Sequence, residues 1–239
     1  MFNSFPVFDI LMSKISNFEQ LLRSNIKHTE NFQDRFEELQ DAQNPDFVTV
    51  CCSDSRVLQD HMWGNEHPGK VFTVSNIGNR SYQDTDDGRV VSGDLLYPVE
   101  HTGTENIIVV GHTGCGAVTA TYQDIIEGLD EPQGIQYSID LLKNGMRKGV
   151  SMLPKGIKGD EAVNYLVEYN VDQQVEFLRR SDDVPADVNI YGVVYDFQDA
   201  YSGSRGELHL INVNGETSVS ELKEKNPELK HRIERIWDY

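Results

Sequence analysis

Val48–Val57 reads VTVCCSDSRV and Ile107–Val118 reads IIVVGHTGCGAV. In each, a run of β-branched apolar residues stops at small and polar residues, and an apolar helical spacing then resumes. That is strand, turn and helix in a parallel α/β sheet, where ligands collect in the crevice at the carboxyl ends of neighbouring strands. Both turns carry soft or borderline metal ligands: Cys52 and Asp54 in the first, His112 and Cys115 in the second.

The rest of the chain arranges itself around this pair. Strands are expected at Phe47–Cys51, Lys70–Val74 and Asn106–Gly111, each bounded by Gly, Pro or Asn. Between the last two, Gly88–Gly103 sets Val90, Val91, Leu95, Leu96 and Val99 on a helical period, which supplies the crossover a parallel pair requires. A helix follows Gly116 to about Glu127, closed by Gly128. Leu129–Gly159, rich in Gly and Pro, offers only a short helix near Ile139–Lys143. Asp160–Arg180 is a long helix with Val163, Leu166, Val167, Val171, Val175 and Leu178 inward. Val188–Phe197 and Glu207–Val213 read as an edge hairpin around the loop Gln198–Gly206, and Val219–Tyr239 as helix broken by Pro227.

Ahead of the first strand, Ser13–Gln43 reads as two helices divided near His28–Asn31. Ile15, Phe18, Leu21, Leu22 and Ile26 form one apolar stripe and Phe32, Phe36 and Leu39 another, and Asn44-Pro45 ends the run. These helices either pack on a core of their own or lie across a second subunit. With no repeat, low-complexity tract or linker, the expectation is one domain over 1–239: an N-terminal helical arm at 1–43 and a metal-binding α/β core at 44–239.

A chain of 239 residues, 38% hydrophobic, fills one core. The net charge of −18, from 39 acidic and 21 basic residues, argues against nucleic acid or an anionic membrane as partner and is compatible with a salt-loving source. The cysteines, only at 51, 52 and 115, do not make a secreted disulfide framework, so a reducing, cytoplasmic setting is expected. The opening MFNSFPVFDILMSK lacks a basic region and is interrupted by Asp9, a poor signal peptide; Met12 would serve equally as the start. No later window is apolar enough to span a bilayer.

Catalytic zinc sites use three protein ligands and leave a fourth position for water or substrate. Cys52, His112 and Cys115 supply that set. A lone cysteine is more often a small buried hydrophobe, and H-x-x-C alone is weak; three candidates at the ends of two neighbouring strands are a stronger signal. Cys51 points to the opposite side of its strand and reads as core. Asp54 and Arg56 continue the first turn as C-x-D-x-R. On an ordinary surface they would be an ion pair of little worth. Beside zinc, Arg56 can hold Asp54 ionised and oriented to accept a hydrogen bond from the nucleophile, and Asp54 released from Arg56 could itself ligate the metal and close the site.

These residues resemble the two signatures of the β-class carbonic anhydrases, C-x-D-x-R at Cys52–Arg56 and H-x-x-C at His112–Cys115. The likeness runs from about Gln43 to Val118 and more loosely to Tyr191–Leu210, nearer the plant-like branch. It implies zinc-dependent reversible hydration of carbon dioxide to bicarbonate and a proton, favoured at alkaline pH because thiolates leave the bound water less acidic. It also implies roles for further residues. Gln43 would steady a substrate oxygen. Phe72 and Ile77 would form an apolar wall, with Gly116 beside them in substrate binding. Tyr97 and His101 would face the same way on a helix and pass the proton to buffer, although His101 can equally be an exposed histidine at a helix end. In the family the wall and tyrosine come from a second subunit, so a homodimer or higher homo-oligomer is implied. Thr49 and Ser75 stand where members with a non-catalytic bicarbonate site carry Trp and Arg, which implies the open site. Carbon disulfide or carbonyl sulfide hydrolysis on this scaffold, a non-catalytic zinc module, and a Cys115–His112 nucleophile are the competing readings.

Overall fold

Strands that are apolar on both faces need cover on both sides, and the two quoted stretches obtain it inside a five-stranded sheet. The computed structural model describes residues 7–239, with side chains from residue 16 onward. The side chains of the apolar patch at 1–11, and that of Ile15 in the first stripe, lie outside the described residues. The chain divides into two compact units, Met1–Gln43 and Asn44–Tyr239.

In the first unit α1 runs Val7–Phe32 as one helix and passes into a 3-10 segment at Gln33–Leu39. The expected break near His28–Asn31 is absent: His28 stacks on Phe32 at 4.6 Å, an i,i+4 pair that carries the helix through. Phe18, Leu21, Leu22 and Ile26 are exposed along it.

The second unit runs β1 (Phe47–Cys52), α2 (Gln59–Met62), β2 (Val71–Asn76), β3 (Tyr82–Thr85), β4 (Gly88–Val91), α3 (Gly93–Thr102), β5 (Asn106–His112), α4 (Gly116–Ile126), α5 (Gln133–Met152), α6 (Gly159–Arg180), β6 (Asn189–Asp196), β7 (Glu207–Val213) and α7 (Val219–Lys225), followed by a 3-10 segment at Pro227–Arg232. The sheet order is β2-β1-β5-β6-β7; the first four strands are parallel and β7 is the antiparallel edge. Cys51 is level with Val110, so β1 and β5 release their turns side by side. This is the mostly parallel α/β sheet with an edge hairpin that the sequence led us to expect.

Cys52 packs with Val48, Val50, Val109, Leu166 and Val171 on one face, while Cys51 packs with Val57, Ile108, Val110 and Val193 on the other. Helix α6 sits close to the sheet because two glycines let it: a Cβ on Gly111 would stand 2.6 Å from Val171 Cγ2, and one on Gly192 2.7 Å from Val171 Cγ1. All six positions expected to face inward on α6 are buried.

Three segments of this unit differ from expectation. At the end of the chain, residues 233–239 leave the expected helix and Ile233 bridges Leu210. Val90 and Val91 lie on β4, paired antiparallel with β3 across Asp86–Asp87, and the crossover helix starts only at Gly93. The stretch expected to hold a short helix at Ile139–Lys143 is the 20-residue α5, which buries Ile139, Leu142 and Met146. Its Gly149 is no breaker; a Cβ there would meet Tyr169 at 2.6 Å, so the glycine admits an aromatic ring from α6. No described helix is long and apolar enough to cross a membrane.

Candidate metal centre

The ends of β1 and β5 bring one ligand atom each from Cys52, His112 and Cys115 within 4.8 Å of one another. The two sulfurs are 3.7 Å apart. Two thiolates bound tetrahedrally at zinc–sulfur distances of about 2.3 Å stand about 3.8 Å apart, so the observed gap has the right width. All three residues are buried, His112 completely.

The imidazole is set to donate a lone pair. His112 Nδ1 lies 2.9 Å from the Thr113 carbonyl, which can only accept, so Nδ1 carries the proton and Nε2 is free. That Nε2 is buried and has no hydrogen-bond partner among the described residues. An orphaned imidazole nitrogen facing two sulfurs fits zinc. Around it, the neighbouring Cys115 thiol, His112 and the Gly78 N–H push Cys52 down to about 5; the adjoining Cys52 thiolate and burial push Cys115 up. The backbone N–H groups of Ala117 and Val118, in the first turn of α4, act the other way and favour negative charge on Cys115.

Asp54 stands at the rim. Arg56 grips it bidentately, Nε to Oδ1 at 2.9 Å and Nη2 to Oδ2 at 2.6 Å, and the Arg56 backbone N–H adds a third bond at 2.9 Å. This grip holds the carboxyl well below the usual carboxylate range. Asp54 Oδ2 is 3.7 Å from His112 Nε2. Arg56 also donates to the Gly114 carbonyl at 3.2 Å and lies over the Phe197 ring at 4.5 Å, and that ring stacks on His112 at 5.6 Å. Neither Phe197 nor the Gly78 N–H, 3.4 Å from Cys52 Sγ, carried any signal in the sequence, because a backbone donor and a ring two strands away leave no spacing to read.

The other expected site residues fall into two groups. Ile77, 42% exposed, and Gly116, exposed with open space where a Cβ would go, follow the strand end and the second signature directly. Phe72 pairs with Val48, four residues short of Cys52, which places it roughly 13 Å along the strand from the donors. It contacts Tyr97 at 6.2 Å, and Tyr97 contacts His101 at 5.1 Å, so these three make an aromatic group of their own on the flank of α3. Gln43 is an exposed residue ending the N-terminal unit.

A family model described as carbonic anhydrase matches residues 47–202, a span that contains every donor above. The chain belongs to the β-class carbonic anhydrases. Within that family, it is 32% identical over 126 residues to beta carbonic anhydrase 5, chloroplastic, of Arabidopsis thaliana, a match covering 53% of this chain and 40% of that one. It thus spans about two fifths of that curated relative's length. Among solved β-carbonic anhydrases, the fold matches CafA of Aspergillus fumigatus with a TM-score of 0.67 at 22% identity, over 93% of this chain and 100% of that one. It matches a structure described as tetrameric, from Sordaria macrospora, with a TM-score of 0.68 at 21% identity, over 82% and 98%.

Proposed function

We propose that this chain hydrates carbon dioxide reversibly to bicarbonate and a proton, with zinc held by Cys52, His112 and Cys115. The observation that carries the reading is the orphaned His112 Nε2 facing two sulfurs 3.7 Å apart, beside a carboxylate that Arg56 keeps ionised. Zinc supplies, when bound, the Lewis acidity that makes water a nucleophile near neutral pH. The chain's own residues do the rest. Asp54 accepts a hydrogen bond from the attacking water and so turns the water's lone pair toward the substrate, while Arg56 keeps Asp54 ionised and unable to take the proton itself. Ile77 and Gly116 leave an open, weakly polar approach, and Gln43 is the residue to which the family resemblance gives the substrate oxygen.

Phe72 lies too far along β2 to line the centre of its own chain, and Tyr97 and His101 on α3 group with Phe72. A second copy brings them there, as apolar wall and as the path by which the proton reaches buffer. A homodimer or larger homo-oligomer is therefore part of the proposal; the tetrameric description of the Sordaria macrospora relative and the exposed stripe on α1 support it. Residues 1–43 are the arm and 44–239 the catalytic core of one functional domain, in a cytoplasmic setting.

The test is stopped-flow hydration of carbon dioxide with zinc measured on each sample. Wild type is expected to be active with about one zinc per chain, and Cys115→Ser to lose both metal and activity, as removal of a ligand requires. A metal-free wild type would return the Cys115–His112 nucleophile to favour; a zinc-loaded one inactive on carbon dioxide would leave either carbon disulfide or carbonyl sulfide hydrolysis, read by sulfide release, or a non-catalytic module.

A further inference from the structure

Helix α6 hides uncharged polar side chains that its apolar stripe does not account for: Asn164, Asn170 and Gln174 are all buried. None of them caps or turns α6; each reaches a backbone turn elsewhere. Asn164 Oδ1 accepts the Gly114 N–H at 2.8 Å, inside the turn that joins His112 to Cys115. Gly114 has a φ of +59°, and its carbonyl is the one Arg56 holds, so this residue is gripped from both ends. Asn170 Nδ2 donates to the Gly78 carbonyl at 3.2 Å and to Asn79 Oδ1 at 3.1 Å. Gly78 is the residue whose N–H is on Cys52 Sγ.

The amides are oriented without ambiguity. Ser81 donates its N–H and its hydroxyl to Gln174 Oε1, both at 2.9 Å, so Gln174 must present its NH2 to Asn170 Oδ1, 3.1 Å away. Asn170 then has only its NH2 to offer the turn. The turn needs holding, because Gly78 and Asn79 stand in succession at φ of +84° and +45°, a left-handed pair that a non-glycine residue at the second position enters at a cost. Asn164 and Asn170 lie about 120° apart around the helix axis, so α6 passes between the two turns and braces each from a different side.

We propose that Asn164 and Asn170 are positioning residues of the metal centre: α6 sets the His112–Cys115 turn through Asn164 and the Gly78 N–H on Cys52 through Asn170. This rests on the zinc reading above. Asn and Asp have the same shape, but ionised Asp only accepts. Asn164→Asp therefore keeps the bond to Gly114, whereas Asn170→Asp loses its bond to Gly78. A packing role would make the two substitutions alike.

The experiment loads the full chain with cobalt(II) and reads the thiolate-to-metal charge-transfer band and competition with a chelator, on samples whose fold is checked by circular dichroism. N164D is expected to keep the wild-type band and affinity, and N164L to lose them. N170D and N170L are expected to move the band and to lower metal affinity about 10- to 100-fold. A wild-type band and affinity in N170D, or equal responses of N164D and N170D, would overturn the proposal. If N170D does not fold, Gln174→Glu, which removes the donor that orients Asn170, is expected to shift the band in the same direction, and wild-type behaviour there overturns it. A wild type that binds cobalt through its thiolates yet hydrates no carbon dioxide sinks the proposed activity and leaves this inference standing; a wild type that takes up no cobalt overturns both.

Discussion

Asp54 is a single carboxylate with two possible partners, a guanidinium and a metal, and the three hydrogen bonds from Arg56 decide between them. Half of the Arg56 side chain is exposed, so its charge alone would be screened; what fixes Asp54 is the bidentate fork, reinforced by the Gly114 carbonyl and the Phe197 ring. Asp54→Asn keeps the shape and loses the charge and one acceptor. It is expected to lower carbon dioxide hydration by about two orders of magnitude while zinc content stays at the wild-type level, read by stopped flow and metal analysis on the same sample. The donors themselves were legible from residue type and spacing, since Cys52, His112 and Cys115 sit where β1 and β5 give way to their turns and strand alternation turns the neighbouring Cys51 to the other face. The groups that orient them were not, because Asn164, Asn170 and Phe197 become neighbours of the centre only through the tertiary fold.

Strands β1 and β5 could be read from the sequence because each is a β-branched run cut off by small residues, a pattern with no helical alternative. Helix α5 could not, because Gly134, Gly145 and Gly149 look like breaks until Tyr169 is seen to need the space at Gly149. Val90 and Val91 misled for the opposite reason: their spacing to Leu95 and Val99 mimics a helix, while the turn before Gly88 makes a hairpin. The close seat of α6 on the sheet makes Gly111→Ala a sharp probe, since the added methyl meets Val171 and Val167. Unfolding by urea is expected to show a loss of about 1–3 kcal/mol. The same helix carries a titrating anchor. Burial holds the Glu168 carboxyl up at about 7, although Tyr201 and the backbone N–H groups of Ile236 and Trp237 donate to it. Between its ordinary 4.5 and about 7 the folded chain binds this proton more tightly than the unfolded chain. Stability contributed by Glu168 therefore falls as pH rises through that window and is level beyond it. Relative to Glu168→Gln, wild type is expected to lose about 1–3 kcal/mol between pH 5 and pH 8 in urea midpoints.

The molecule as a whole carries −18 in formal charge yet leaves Phe18, Leu21, Leu22 and Ile26 exposed on one helix. Charge of that size opposes association through contacts of like sign, so an apolar stripe is the place where copies can meet without bringing carboxylates together. Leu22→Glu is expected to shift the assembly toward smaller species in light scattering. If Phe72 and Tyr97 serve the centre of a neighbouring copy, hydration should fall with the assembly while zinc stays bound. The brace that α6 forms has a further consequence for how this scaffold can vary in length. One residue inserted between Asn164 and Asn170 would swing everything after it by about 100° and pull one amide off its turn. The exposed tip at Gly203–Arg205 can grow freely. Insertions and deletions among relatives should therefore collect at such tips and spare the middle of that helix, which works as a fixed-length gauge.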